Sequence, residues 1–412
     1  MLAHIDADAF FASAIVRKNP HLRGKPLLAL GMGGGCVIAA SYEAKAYGVK
    51  TGMRLKDALE LCPHAIHMPA DFHEAARASH EIEVIIRQQC PIVEQMSVDE
   101  WYLDLRSLVG GIPGDLGAWA RYTQKEIGSR TGLSVSIGVG PSKTLAKMAG
   151  EYRKPAGMTV ISMLRGRATR HLSMTIGIDQ FLQDRPAAAI PGIGRKRDIH
   201  AQREGWKTAW DIAQAPTAKL IVLFGQPGAE LQQELLGTSV YPICAEPDPP
   251  KSVSRCRSFR PTKDRNFVWA HMLKHLEYTV SKMRRDQLAC RGVTVWVRGE
   301  EFEFSGRNFS LPHPHQTISD ILPYVQKCFE EAYRPNSTCN QAGLALWHLV
   351  SCGTPQYSLF EQPFQTERNE LMQKTLDEIH TRFGRNALTR GSALTVKTGT
   401  RVTLEMSLYE TL

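Results

Sequence analysis

Two acidic residues stand side by side, Asp99 and Glu100, between two runs that read as β-strands, Ile92 to Met96 and Trp101 to Leu105. Adjacent side chains on a straight strand point to opposite faces, so both carboxylates can serve one site only at a strand end or a tight hairpin turn. The chain must therefore carry this hairpin by its acidic tip to a partner strand. The opening MLAHIDADAF sets His4, Asp6 and Asp8 against Ala3, Ile5, Ala7 and Ala9 in the period-two alternation of a strand. Asp6, Asp99 and Glu100 together make an oxygen-only ligand set suited to Mg²⁺, with Mn²⁺ able to substitute, because Mg²⁺ keeps several waters and recruits phosphate oxygens. Two such ions about 4 Å apart lower the pKa of an attacking hydroxyl and neutralise a departing pyrophosphate. A D-x-D or a D-E on its own is ordinarily a solvated turn, so the reading rests on the company these residues keep.

The chain has 412 residues, 43% of them hydrophobic, enough for two to four domains with their own cores. It contains no run of about 18 apolar residues, and two aspartates stand where a signal peptide would be apolar, so a cytoplasmic protein without a membrane partner is expected. The nine cysteines are odd in number, scattered and without a C-x-x-C pair, which argues against a disulfide framework or a zinc site. The formal charge is +9, and it is concentrated: from Lys251 to Arg307 thirteen basic residues, Arg255, Arg257 and Arg307 among them, face six acidic ones. A polyanionic partner accounts for that window economically, although a basic run can also be no more than a solvated face.

Along the chain, short strands are expected at Pro26 to Leu30 and Cys36 to Ala40, and helical stretches near Tyr42 to Tyr47 and Leu55 to Leu61. A long helix from about Asp71 to Gln89 should turn Ala75, Ile82, Val84 and Ile85 inward. It returns the chain to a sheet completed by Leu133 to Val139, and helices Leu116 to Ser129 and Lys143 to Tyr152 should cover one face of it. From Met163 to Gly237 the pattern is helical, broken by Pro191-Gly192-Ile193-Gly194. Residues 240–251 are rich in proline and read as a linker. Beyond them, helices at Phe267 to Asp286 and Ile318 to Ala332 and strands at Gly292 to Val297, Glu301 to Phe304 and Gly343 to Leu349 suggest an α+β domain with two helices on one side of an antiparallel sheet. The last sixty residues, with one amphipathic helix near Glu367 to Phe383, look loosely attached.

Several motifs in order carry a resemblance. They are Asp6-Ala7-Asp8-Ala9-Phe10-Phe11-Ala12, Tyr42-Glu43-Ala44-Lys45 followed by Gly48-Val49-Lys50-Thr51-Gly52-Met53, and Ser97-Val98-Asp99-Glu100. Ser136-Ile137-Gly138-Val139-Gly140 then runs into Lys143-Thr144-Leu145-Ala146-Lys147, ahead of Lys154-Pro155 and Pro191-Gly192-Ile193-Gly194. With these, residues 1 to about 350 resemble the Y-family translesion DNA polymerases of the bacterial UmuC and DinB-like branch, closest to the UmuC type.

The resemblance implies an α+β right-hand architecture: palm 1–10 and 69–162, fingers 11–68, a helix-hairpin-helix thumb 163–239, the linker 240–251, a separate little finger 252–350 and a tail 351–412. It implies low-fidelity, template-directed DNA synthesis from dNTPs on primer-template DNA in the damage (SOS) response, with two Mg²⁺ held by Asp6, Asp99, Glu100 and the backbone carbonyl of Ala7. Phe11 takes the place of the steric gate against a ribose 2′-hydroxyl, Phe10 beside it is expected among the nucleotide-binding residues, and Tyr42, Lys45 and Lys154 fall where the family grips the triphosphate. Gly192, Gly194, Arg195 and Lys196 fall in the hairpin that meets duplex backbone. Gln356, Leu359 and Phe360 belong to Gln356-Tyr357-Ser358-Leu359-Phe360, similar to the family's sliding-clamp peptide. The resemblance leaves open whether a UmuD-like subunit and a recombinase filament are partners. The chain departs from the family pattern at Lys45, where many relatives have arginine, at Ala14-Ile15, and at Ser142 in the UmuC-like G-P-S-K-T-L-A-K. None of these is a metal ligand. A noncatalytic accessory relative would be expected to have lost a carboxylate, and a nuclease or phosphatase with the same triad would leave Phe11 and the Tyr42, Lys45 and Lys154 set unexplained.

Overall fold

A computed structural model describes residues 1–163, 175–246, 248–299, 301, 303–352, 363–384 and 387–391. It divides into two compact units, one within residues 1–247 and one beginning at 248, so the boundary falls inside the proline-rich stretch 240–251. The clamp-like residues Gln356, Leu359 and Phe360 lie outside the described residues. No helix among the described residues is long and apolar enough to cross a membrane.

In the first unit β1 (Leu2–Ala7) and α1 (Phe10–Lys18) are followed by β2 (Leu27–Leu30), β3 (Val37–Ala40), α2 (Tyr42–Lys45), α3 (Leu55–Leu61) and β4 (Ile66–Pro69). Then come α4 (Phe72–Gln89), β5 (Val93–Gln95), β6 (Glu100–Asp104), α5 (Leu116–Thr131), β7 (Val135–Gly140), α6 (Lys143–Tyr152) and β8 (Met158–Ser162). The unit closes with β9 (Thr175–Gly177), α7 (Ile178–Gln183), α8 (Arg195–Arg203), α9 (Ala209–Gln214), α10 (Thr217–Phe224) and α11 (Gln226–Leu235).

Its main sheet has the order β5-β6-β1-β7-β8-β9, which puts the first strand of the chain in the middle. β1 is antiparallel to both neighbours, and its register with β6 sets Asp6 opposite Glu100 and His4 opposite Tyr102. Directly opposed residues share a face, so Asp6 and Glu100 must emerge together. The alternate residues Ala3, Ile5 and Ala7 point into a core with Ile82 and Ile86 of α4, Ala120 and Ile127 of α5, and Trp101, Leu103 and Ile137 of the sheet.

The two expected covering helices lie on opposite faces. α5 shares the core just described, whereas α6 packs on the Asp6 face and gives Leu145, Met148 and Ala149 to a second core with α7, α9 and α10. It approaches so closely that a Cβ added at Gly138 would lie 2.1 Å from the Ala146 carbonyl oxygen. Every residue of β7 is accordingly buried, as in a strand covered on both sides. Val84, expected inward, is 38% exposed, because two residues along a helix turn a side chain by about 200° from Ile82. β9, which pairs parallel with β8, is a strand where the sequence read as helix.

A smaller sheet, β3-β2-β4, carries α2 and α3 and has a core of Leu28, Leu30, Val37, Ala40, Ala44 and Ala58.

The second unit contains β10 (Ser252–Thr262), α12 (Arg265–Arg285), β11 (Leu288–Gly299), β12 (Phe304–His315), α13 (Ile318–Ala332), β13 (Cys339–Ser351) and α14 (Pro363–Phe383). The sheet order is β10-β13-β11-β12, and α12 and α13 share one core with it. The α+β arrangement matches expectation, with two changes. β10 is a strand inside the basic window. β12 begins where the expected strand Glu301 to Phe304 ends and runs on through Pro312 and Pro314, which an edge strand tolerates because one side of it makes no ladder bonds. The tail helix α14 is docked, not loose: Arg284 pairs with Asp377 at 2.6 Å, and the buried Gln373 accepts from the Ile318 amide at 3.2 Å.

Candidate active site

Asp6 ends the hydrogen-bonded register of β1 with β6, and Glu100 opens β6 directly opposite. Asp99 stands one residue earlier in the turn, its carbonyl accepting from the Ala7 amide at 2.9 Å. The acidic tip is thus pinned to β1 by backbone at Ala7, the residue expected to lend its carbonyl. Ligand atoms of His4, Asp6 and Glu100 all lie within 4.8 Å of one another. The Asp99 carboxylate is turned to the Ser97 hydroxyl, which donates at 2.5 Å.

Two lysines answer this charge. Lys154 pairs with Asp6 at 2.5 Å and Lys147, from α6, pairs with Glu100 at 2.5 Å. Fully buried His4 meets Glu100 from the other side, Nε2 to Oε1 2.7 Å. Burial alone would raise Glu100, but the hydrogen bonds from His4 and Lys147 outweigh it and hold the carboxyl down at about 2. Asp99 goes the other way. Burial raises it, the Ser97 hydroxyl opposes, and the charges of Asp6 and Glu100 push further up. The set fits a divalent cation: three carboxylates supply hard oxygen ligands, and Asp99 feels a surplus of negative charge that Lys147 and Lys154 leave uncancelled.

The residues expected to grip the nucleotide converge on the same place. Lys45 lies over the Tyr42 ring, 4.3 Å from its centre. Burial lowers Lys45, the nearby Lys154 ammonium lowers it further, and Asp8 and Asp6 oppose. Tyr42 is raised by burial and by Asp8 and Asp6. Two lysines that repel each other beside carboxylates form a mouth in which a polyphosphate would relieve the repulsion. Phe11 is half-buried, its ring edge-on to Phe10 at 5.6 Å and to Phe72 at 5.5 Å. Phe10 is only 2% exposed and packs in the core below β1, so its ring is not offered to a ligand. Ala9, in the left-handed region at φ +48°, gives α1 no side-chain cap, leaving its first amides for an anion.

His4 and Lys147 have no role in the sequence-level reading. His4 sits two residues before Asp6 on a strand, so it shares the Asp6 face by period, and Lys147 closes the L-A-K motif on the helix that covers that face.

Among the expected DNA-contacting residues, Gly192, Gly194, Arg195 and Lys196 are all exposed, and Ile193 anchors their turn in the core. Gly192 has φ +94°, which glycine adopts without cost, and its carbonyl accepts from Arg197 at 3.0 Å. The helical pattern expected before the turn is α7 followed by a single 3₁₀ turn, Ala187–Ala189, that leads into it. In the second unit Arg257 is exposed, Arg255 lies 4.2 Å over the Tyr278 ring, and the exposed Arg307 stands 3.5 Å from Glu331.

A carboxylate cluster at the end of a central strand, flanked by lysines and set in a sheet with helices on both faces, fits the class of metal-dependent phosphoryl-transfer enzymes. Residues 5–151 match the impB/mucB/samB family, and residues 250–359 match the C-terminal domain of the same family. The DNA polymerase IV of Methanoculleus marisnigri is 34% identical over 318 residues, covering 76% of this chain and 84% of the relative. That of Moorella thermoacetica is 31% identical over 399 residues, covering 95% of each. Among solved structures, a Y-family DNA polymerase chimera of Dbh and Dpo4 superposes with a TM-score of 0.71 at 23% identity, over 85% of this chain and 99% of the other. DinB from Sulfolobus solfataricus does so with a TM-score of 0.54, also at 23% identity and with the same coverage. The chain belongs to the impB/mucB/samB family, the Y-family DNA polymerases.

Because Glu100 is held at about 2 against an ordinary 4.5, its ionisation stabilises the fold fully above pH 4.5, and that stabilisation is lost as pH falls towards 2. Glu100→Gln should therefore be less stable than the wild type at pH 7 by roughly 3 kcal/mol in metal-free buffer, and the gap should close between pH 4.5 and 2. Urea unfolding of both proteins across that range measures it.

Proposed function

We infer that this chain extends a DNA primer along a template, damaged positions included, by transferring nucleotides from dNTPs. The observation that carries the reading is the convergence of Asp6 and Glu100, opposed in register, with Lys154, Lys45 and Tyr42 at one mouth. The relatives' name, DNA polymerase IV, supports it. Asp6, Asp99 and Glu100 would hold Mg²⁺, with the Ala7 carbonyl as a further ligand. The chemistry that bound ions would supply there is activation of the primer hydroxyl and an offset to the charge of the leaving pyrophosphate. Lys154, Lys45 and Tyr42 orient the triphosphate, the open amides of α1 receive it, and the Phe11 ring fills the volume a ribose 2′-hydroxyl needs.

In this reading the main sheet is the palm, the β3-β2-β4 sheet the fingers, the helices from α7 to α11 the thumb, and the second unit the little finger. Arg195, Lys196, Arg255, Arg257 and Arg307 supply phosphate contacts without reading sequence. The enzyme works in the cytoplasm, on the nucleoid.

Asp99→Ala should abolish primer extension with Mg²⁺ and all four dNTPs while leaving primer-template affinity within about twofold, since it removes a metal ligand but no phosphate contact. Extension by this variant at the wild-type rate would refute the assignment. Phe11→Ala should admit ribonucleotides, read as a fall in the dNTP-over-rNTP ratio of kcat/KM; an unchanged ratio would place the gate elsewhere.

Gln356, Leu359 and Phe360 fit a preformed pocket on a sliding clamp, one glutamine for hydrogen bonding and two apolar groups for burial. Burying each apolar side chain is worth about 1.5 to 3 kcal/mol, so Leu359→Ala with Phe360→Ala should weaken clamp binding about a hundredfold or more. Product length on clamp-loaded templates should fall while insertion without clamp and melting temperature hold; a fall in all three would mean the pair packs on its own domain.

A further inference from the structure

The second aspartate of the D-x-D motif is not among the metal-ligand candidates, yet it is the more deeply buried, at 2% exposure. We propose that Asp8 is a positioning residue that ties the nucleotide-gripping elements to the end of β1. Its Oδ1 accepts from the Ser136 hydroxyl at 2.8 Å and, at 3.4 Å, from the Tyr42 hydroxyl. Its Oδ2 accepts from the Ala156 amide at 2.9 Å. Ser136 in turn accepts from the Gly157 amide at 3.3 Å, so carboxylate and hydroxyl together hold two consecutive amides of one loop.

What these partners carry makes the tie functional. Ala156 lies two residues after Lys154, which pairs with Asp6, and Tyr42 opens the short helix that ends in Lys45. One carboxylate therefore joins the three segments that present Asp6, Lys154 and the Tyr42–Lys45 pair. Two alanines beside it are in the left-handed region, Ala9 at φ +48° and Ala156 at φ +53°, a conformation that persists only where surrounding contacts enforce it. Space to relax is at hand: Ala9, Tyr42 and Ala156 also line a cavity of about 850 Å³. Without the Asp8 carboxylate, Tyr42 and the 154–156 loop can shift into it and carry the triphosphate contacts with them. Asp8's direct partners, Ser136, Tyr42 and Ala156, are all uncharged donors, while its charge also acts at longer range on Lys45.

The proposal rests on the polymerase reading, and single-nucleotide insertion by wild type, Asp8→Ala, Asp8→Asn and Ser136→Ala tests it, alongside thermal melting and primer-template affinity. Asp8→Ala should raise KM for dNTP about tenfold to a hundredfold, with kcat changing less and primer-template affinity unchanged. Asp8→Asn, which can still accept from Ala156 and bond Ser136, should recover most of the loss. Ser136→Ala should shift KM in the same direction by less. A folded Asp8→Ala protein with wild-type KM overturns the proposal. If Asp8→Ala does not fold, Ser136→Ala decides: a raised KM with unchanged DNA affinity supports the tie, and an unchanged KM overturns it. A wild-type chain that inserts no nucleotide overturns the polymerase reading itself, and this proposal with it.

Discussion

Gathering carboxylates at the end of one buried strand is the constraint on which the first unit depends. Two unit charges about 5 Å apart repel by about 3 kcal/mol at an effective dielectric of about 20, and three acids meet here on a sheet with helices on both faces. The chain offsets this with Lys154 on Asp6 and with Lys147 and His4 on Glu100. Asp99 is left with one neutral donor, Ser97, and its carboxyl rises. The bareness of Gly138 follows from the same need, because α6 must come close to bring Lys147 over the sheet.

In the proposed reading that balance couples cation and nucleotide. Lys154 pairs with Asp6, and in the proposed reading it is also a cation for the triphosphate. A polyphosphate that draws Lys154 away leaves Asp6 needing a positive charge, and a metal ion on Asp6 releases Lys154 for the phosphates. Each ligand strengthens the other by the same free energy, as linkage requires. Asp6 and Glu100 are held in pairs with lysines that, in the proposed reading, a bound metal and polyphosphate would exchange.

Much of this was legible in the sequence because strand period and adjacency are strong local signals. Asp99-Glu100 between two strand-like runs required a turn, and the register of β1 and β6 confirms that the tip faces Asp6. The α+β organisation of the second unit followed from helical and strand periods in the same way. What failed was of two physical kinds. Val84 and the side of α6 are facts about which face is turned where, and two-sided burial leaves β7 without alternation to betray it. β9, β10 and β12 are edge strands: β9 has only three residues, too few to show a period, while in β10 and β12 exposed arginines, and prolines that an open edge tolerates, blur the alternation. The roles of His4, Lys147 and Asp8 are long-range: Asp8 meets a serine 128 residues away, and no local pattern could supply that partner.

Cation binding by the β1–β6 carboxylates for nucleotidyl transfer is the most direct point of test. Manganese paramagnetic resonance can count the ions bound to a complex of the chain with dideoxy-terminated primer-template and the matching dNTP, where reaction is blocked. Two ions per chain are expected for the wild type, and one or none for Asp6→Asn with the same dNTP present. The same count in wild type and variant would contradict the assignment of these carboxylates as the catalytic centre.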